Sequence, residues 1–235
     1  MKFAEAKPSI RLLIFDLDGT LIDSKLDLAL SVNATLRHLG REPLDEETIS
    51  SYVGQGAPTL IRRVVGEEAT AEEIARGLEY FLTYYWEHKL DHTELYPGVR
   101  ETLERLADGA VPSPRVMAVL TNKPERVSRD ILKGLDIIHL FRFIYGGNTF
   151  ETKKPDPLGI HKLLEQTGIS PRAAMIVGDS DVDILTGANA GVWSCGVTYG
   201  FGTLQLDANP PDLLIDRLTE LATALRAGGT SLAGG

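Results

Sequence analysis

Short apolar runs recur along this chain, and most are followed a few residues later by a segment of helical periodicity; no other feature restricts the possible fold as strongly. The runs lie at 11–15 (RLLIF), 116–120 (VMAVL), 143–145, 173–177 (AAMIV), 192–197 and 213–215, and several end in Gly, Asn or Asp. Such runs, too short for helices and bounded by turn residues, read as buried strands. Helical spacing of apolar residues appears at 98–107, 124–134, 156–167, 181–190 and 217–226. Strands that alternate with helices predict a parallel sheet covered by helices on both faces.

One region breaks the alternation. Between about residues 24 and 95 the periodicity predicts helices at 25–39, 56–65 and 71–89, with no convincing strand. The region is entered after the first strand's loop and left at Tyr96-Pro97-Gly98, a turn signal. The expected organisation is an α/β core made of residues 1–23 and 96–235, with a helical insert at 24–95. The tail at 227–235, rich in Gly and small residues, is expected to fray.

The formal net charge of −9 argues against nucleic acid as a partner, because backbone phosphates require a basic face and no Lys/Arg pair extends into a patch. Anions beyond about 8 Å are screened from that charge, so an anion site survives if cations are concentrated locally. The first ten residues lack the apolar core of a signal peptide and no run approaches membrane-spanning length, which together with the single cysteine, Cys195, predicts a cytoplasmic, non-membrane protein. Cys195 lies between apolar neighbours and is expected to be a buried structural residue.

Open parallel sheets place ligands at the carboxyl ends of their strands, so the residues just past each apolar run are where chemistry belongs. After the first run comes Asp16-Leu17-Asp18-Gly19-Thr20. Asp-Gly is ordinary turn chemistry. Yet two carboxylates spaced by one residue also suit phosphoryl transfer, one attacking phosphorus and the other moving protons. After 116–120 come Thr121-Asn122-Lys123-Pro124, a hydroxyl and backbone N–H groups at a helix start, which can hold an anion as well as cap the helix. In Lys153-Lys154-Pro155, Lys154 is the expected phosphate-neutralising residue, since its position before proline restricts its backbone; the sequence alone does not separate it from Lys153. After 173–177 come Asp179, Asp181 and Asp183, three carboxylates within five residues. They are costly together unless a cation neutralises them, and oxygen ligands of this kind suit Mg²⁺, although acidic residues also favour a helix start.

Asp16-x-Asp18-Gly-Thr20, Thr121-Asn-Lys, Lys154-Pro and Gly178-Asp179-x-x-x-Asp183 together resemble the four ordered motifs of the haloacid dehalogenase-like superfamily. The resemblance spans residues 10–225 and implies a Rossmann-like parallel sheet plus a helical cap at 24–95. It implies Asp16 as nucleophile and Mg²⁺ ligand, and Asp18 as acid/base and as ligand through its carbonyl oxygen. Thr121 and the Asn122 N–H would bind the phosphoryl group, and Lys154 would neutralise it. Asp179 would ligate Mg²⁺, while Asp183 and Thr20 would orient the site from behind these groups. Within the superfamily, Asp23-Ser24…Asp27-Leu28-Ala29…Val32-Asn33, Tyr52-Val53-Gly54-Gln55-Gly56-Ala57…Leu60-Ile61-Arg62-Arg63, Tyr96-Pro97-Gly98-Val99 and Gly146-Gly147-Asn148-Thr149 resemble phosphoglycolate phosphatases most closely. The implied activity is hydrolysis of a small phosphomonoester through an aspartyl-phosphate. Phosphatases for pyrophosphate, nucleotides or sugar phosphates share much of the pattern, as do phosphomutases. A dehalogenase does not fit, because the related dehalogenases lack the second aspartate. A phosphate-accepting signalling module would have no use for a cap. Oligomeric state is not legible.

Within the insert, Arg62 or Arg63, beside Gly54-Gln55-Gly56, is expected to read the anionic end of the substrate. The aromatic stripe Tyr80-Phe81…Tyr84-Tyr85-Trp86 reads as helix packing, and His88 and His92 lack the neighbours of a metal motif.

Overall fold

The run expected to form the central strand is buried on both sides: in a computed structural model of the chain, which describes residues 8–108 and 115–227, β1 (Leu12–Phe15) has no exposed residue. Leu13 and Phe15 point into one apolar cluster, and Leu12 and Ile14 into a second on the opposite face. That two-residue period is what a strand covered on both sides requires.

The other runs become β4 (Val116–Leu120), β5 (Phe143–Tyr145), β6 (Ala174–Gly178), β7 (Trp193–Val197) and β8 (Leu213–Ile215). With β1 these make six strands in one sheet, in the order β5-β4-β1-β6-β7-β8, with every neighbouring pair parallel; the labels β2 and β3 belong to the short strands described below. Helices α5 (Val99–Ala107), α6 (Glu125–Gly134) and α9 (Thr219–Ala227) join the cluster holding Leu13 and Phe15. Helix α7 (Leu158–Thr167) covers Leu12 and Ile14 through Ile160 and Leu163, and α8 (Asp181–Ala190) closes the same face at Ala190. Both faces are therefore covered, as expected. Helix α7 begins at Leu158 instead of 156 because Pro157 occupies its N-cap.

The insert contains α1 (Lys25–His38), α2 (Glu46–Ser51), α3 (Ala57–Val65) and α4 (Ala71–His88). Helix α2 was not expected: it has six residues and buries only Ile49, too little to leave a periodic signature. It forms because the Asp45 side chain accepts from Thr48 N–H at 2.8 Å. Helix α1 packs along α4, with α3 also against α4 and α2 against α1. Helix α4 starts with a capping box between Thr70 and Glu73.

Two strands of two residues, β2 (Ile22–Asp23) and β3 (Glu94–Leu95), pair antiparallel where the chain enters and leaves the helices. Strand β3 corrects the expectation that residues 24–95 hold no strand; a two-residue run has no readable alternation. Buried Asp27, on α1, ties the exit to the entrance by accepting from His92 N–H at 3.0 Å, Thr93 N–H at 2.8 Å and the Thr93 hydroxyl at 2.7 Å. One hydrophobic cluster runs from β1 through Leu17 and Leu21 into Leu28, Ile49, Leu60, Ile61 and Phe81 of the helices.

Cys195 is fully buried on β7, where burial pushes its thiol pKa up, in line with a structural role. No helix among the described residues is long and apolar enough to cross a membrane. The expected fraying beyond residue 227 lies outside the described residues.

Candidate active site

Strand β1 pairs with β4 on one side and β6 on the other, so the chain turns to opposite sides of β1 at this point and leaves a crevice at the carboxyl ends. Phe15 is in register with Val119 and Val177. The residues that follow, Asp16, Thr121 and Asp179, are therefore brought to one place. Asp16 N–H donates to the Val177 carbonyl at 2.9 Å, holding the first loop against β6. Gly19 sits at φ +80°, and a side chain there would collide with the Asp179 carboxylate, so the turn carrying Asp18 admits only glycine.

Of the two lysines, Lys154 is the one brought against Asp16. It is 4% exposed, and its Nζ lies 2.8 Å from Asp16 Oδ1 and 2.6 Å from Asp183 Oδ1. Lys153 is exposed and donates to the Gln55 carbonyl at 2.7 Å. The other oxygen of Asp183 accepts from Ser180 N–H at 3.2 Å and its hydroxyl at 2.7 Å, so both oxygens of this residue are committed. Asp179 Oδ2 accepts from Phe201 N–H at 3.0 Å and Gly202 N–H at 2.7 Å. Asp18 faces elsewhere: it receives Lys123 Nζ at 2.9 and 3.0 Å and the Ser24 hydroxyl at 2.6 Å.

Ligand oxygens of Asp16, Asp179 and Asp183 all lie within 4.8 Å of one another. Burial, opposed by the Lys154 charge, pushes the Asp16 carboxyl up to about 6. Burial together with the charges of Asp183 and Asp16 pushes Asp179 up to about 8. Crowded carboxylates raise one another's pKa when too little positive charge balances them. Four aspartates here, Asp16, Asp18, Asp179 and Asp183, face two buried lysines, Lys123 and Lys154, which leaves two formal negative charges when all are ionised. An all-oxygen donor set with that deficit fits a divalent hard cation such as Mg²⁺. With Asp183 committed to Lys154 and Ser180, the carboxylates left to hold it are Asp16 and Asp179. The carboxylate of Asp18 is not in this cluster.

All of the expected site residues converge at the crevice. Thr121 and Asn122 are buried beside Asp16 and Asp18 on the wall of one cavity of about 240 Å³. Thr20 is fully buried below it, its carbonyl accepting from the Tyr199 hydroxyl at 2.7 Å. Asn122 does more than its backbone suggested, since its Nδ2 donates to the Gly54 carbonyl at 2.9 Å and the Lys154 carbonyl at 3.0 Å, tying an insert loop to two core loops. Gly56, at φ +83°, approaches the Asn122 carbonyl so closely that a Cβ would lie 3.1 Å from it. The unforeseen residues are Lys123, Ser24 and the loop 199–202. The Tyr-Gly-Phe-Gly of that loop begins after a single residue beyond the end of β7, the signal that would have found it.

The cavity roof comes from the insert: Leu28, Val53, Gly54, Ala57, Leu60, Phe81, Tyr85 and Trp86. The aromatic stripe packs as expected, with Phe81 and Tyr85 in the hydrophobic cluster and Trp86 against it, and it also contributes to this roof. Phe81, Tyr85 and Trp86 line the cavity, while Tyr80 and Tyr84 stack with His38 and His88. Helical geometry splits the stripe between two faces. The expectation for Arg62 and Arg63 is corrected. Both are exposed and neither lines the cavity; Arg63 donates to Gln55 Oε1 at 3.0 Å and lies over the Tyr52 ring. The apolar face of α3, Leu60, Ile61, Val64 and Val65, is the buried one, which turns the arginines outward. His88 pairs with Asp91 at 2.7 Å and belongs to no metal-ligating group among the described residues.

Several known proteins are similar to this chain over most of its length. A phosphoglycolate phosphatase from Pseudomonas putida is 41% identical over 221 residues, covering 90% of this chain and 78% of that one. One from Vibrio cholerae is 39% identical over 222 residues, covering 91% and 96%. The crystal structure of a predicted phosphoglycolate phosphatase from Haemophilus somnus superposes with a TM-score of 0.85 at 33% identity, covering 92% of this chain and 97% of that one. The family model for haloacid dehalogenase-like hydrolases matches residues 13–197, from within β1 to the end of β7, and the chain belongs to that family.

Proposed function

We propose that the protein is a Mg²⁺-dependent phosphomonoester hydrolase acting on 2-phosphoglycolate, with residues 24–95 as a cap over a core of residues 1–23 and 96–235. The observation that carries the reading is the pair of separately held carboxylates on one loop. Asp16 sits against Lys154, while Asp18 sits against Lys123 and Ser24, both beside Thr121 in one cavity.

In this reading an Asp16 oxygen attacks phosphorus and the ester P–O bond breaks, giving an aspartyl-phosphate. Asp18 delivers a proton to the departing oxygen, then takes one from the water that releases phosphate and regenerates Asp16. Thr121 and the Asn122 N–H hold the phosphoryl oxygens, and Lys154 offsets their charge. Asp183 and Ser180 orient Lys154, and Thr20 supports the loop beneath Asp16. Asp16, Asp179 and the Asp18 carbonyl would hold Mg²⁺, which when bound neutralises phosphoryl and carboxylate charge during the transfer. The apolar roof excludes bulk water. The similar proteins named phosphoglycolate phosphatases support the choice of substrate.

Phosphate release across 2-phosphoglycolate, pyrophosphate, sugar phosphates and nucleoside monophosphates tests the reading. The expected result is a kcat/KM for 2-phosphoglycolate roughly ten-fold or more above the others, lost on chelation, restored by Mg²⁺, and needing no bisphosphate cofactor. Release that persists undiminished after exhaustive chelation, or a preference for another substrate class, overturns it.

A further inference from the structure

Tyr85 stands on α4 with its side chain 4% exposed, on the wall of the cavity, and its hydroxyl is buried without a hydrogen-bond partner. Buried hydroxyls are nearly always paired, because leaving one unpaired costs free energy that a phenylalanine in the same place would not. The ring has another neighbour. Lys123 Nζ lies 4.5 Å from its centroid and holds the Asp18 carboxylate with two contacts of 2.9 and 3.0 Å. An ammonium carries three N–H donors, so the contacts to Asp18 leave donor capacity on the side facing the ring.

The chemistry of the substrate fixes what comes next to Asp18. Its partner is the oxygen leaving phosphorus, and in 2-phosphoglycolate the carboxylate is attached to the very carbon that bears this oxygen. The group beside the proton donor is therefore the group beside the substrate's far anion. Within the cavity that group is Lys123, and the next donor along the wall is the Tyr85 hydroxyl.

We propose that Lys123 and the hydroxyl of Tyr85 form the subsite for the substrate's carboxylate, joining a core loop and the cap in one anion-binding pair that determines specificity. The proposal deepens the assignment of 2-phosphoglycolate and rests on it. Burial pushes the Tyr85 phenol up to about 12, so it remains a donor throughout the neutral range. Arg126 lines the same cavity, exposed and with its guanidinium 4.3 Å over the Trp86 ring, and adds positive field to it. The pairing also gives the cap a chemical reason to be closed: the carboxylate obtains both donors only when α4 lies over the Thr121-Asn122-Lys123 loop.

The test uses the full-length protein and two substrates of equal carbon number, 2-phosphoglycolate and 2-hydroxyethyl phosphate, which replaces the carboxylate by a neutral alcohol. Tyr85→Phe removes only the hydroxyl and keeps the ring over Lys123. It should lower the ratio of kcat/KM between the two substrates roughly ten-fold, and Lys123→Met should lower it further. The melting temperature of ligand-free Tyr85→Phe should fall little if at all, because the lost hydroxyl makes no hydrogen bond of ordinary geometry and Lys123 keeps its contacts with Asp18. A wild-type ratio in Tyr85→Phe overturns the proposal, more decisively if its melting temperature drops, which would make the hydroxyl structural. If Lys123→Met does not fold, Tyr85→Phe decides alone. A wild-type enzyme that shows no preference for the carboxylated substrate overturns both this subsite and the choice of substrate. A clear preference that survives Tyr85→Phe overturns the subsite only.

Discussion

The floor and the roof of the cavity are built on opposite terms. Every floor residue follows a sheet strand or sits on a short turn whose hydrogen bonds fix it, and its charged groups are paired: Lys154 with Asp16 and Asp183, Lys123 with Asp18, Asp179 with two N–H donors. The roof is carried by helices whose contribution is apolar and aromatic, and it contains the hydroxyl of Tyr85, buried without a partner. A site that does chemistry on any phosphomonoester requires a fixed, charge-balanced floor. A site that chooses among phosphomonoesters can place that choice in a separately anchored layer.

The largest expected effect removes the floor's reacting group. Asp16→Asn should lower turnover at least about 10⁴-fold, since an amide does not attack phosphorus. Because burial holds the Asp16 carboxyl up to about 6, well above its ordinary value, its ionised form opposes folding of the metal-free protein above that pH. The neutral amide is therefore expected to hold or raise the melting temperature at neutral pH while abolishing phosphate release, two quantities read by calorimetry and single-turnover assay. Residual turnover close to wild type would break the assignment of chemistry to the floor.

An intermediate effect is expected where the roof is fastened down. Asp27 is 1% exposed and accepts from His92 and Thr93 at the insert's exit. Asp27→Ala leaves buried donors unpaired and should cost about 3 kcal/mol of stability by denaturant titration. Turnover per folded molecule should fall much less than in Asp16→Asn. Equal losses in the two variants would show that floor and roof are not separable.

The smallest effects belong to the arginines outside. Arg62→Ala and Arg63→Ala should each change stability by no more than about 0.5 kcal/mol and leave the preference for 2-phosphoglycolate over 2-hydroxyethyl phosphate within about two-fold of wild type. A collapse of that preference would return carboxylate recognition to α3.

Legibility in the sequence followed the same division. The strands were readable because double burial forces unbroken apolar runs, and the floor because each of these candidate site residues immediately follows such a run: Asp16 after Phe15, Thr121 after Leu120, Asp179 after Gly178. Helices at 25–38, 57–65 and 71–88 were legible from their period, whereas α2 and the paired strands β2 and β3 were too short to carry one. The choice of Arg62 and Arg63 failed because proximity to a glycine loop says nothing of which way a helix faces. Lys123, quoted in its motif without a role, gained one only when Asp18 and Tyr85 were seen beside it.

By itself, then, the sequence determined which residues lie at the strand ends, because backbone pairing converts a place in the chain directly into a place in space. It determined that aspartates crowd the ends of two strands, Asp16 and Asp18 after one and Asp179, Asp181 and Asp183 after another, a concentration of carboxylates that suits a cation. The tertiary structure alone decided which lysine meets which aspartate, which side of α4 roofs the cavity, and that a tyrosine 67 residues after Asp18 stands over its lysine partner. Those outcomes depend on how α4 packs against α1 and α3. Side-chain packing between elements distant in sequence is settled by the sum of many weak contacts, which no local pattern encodes.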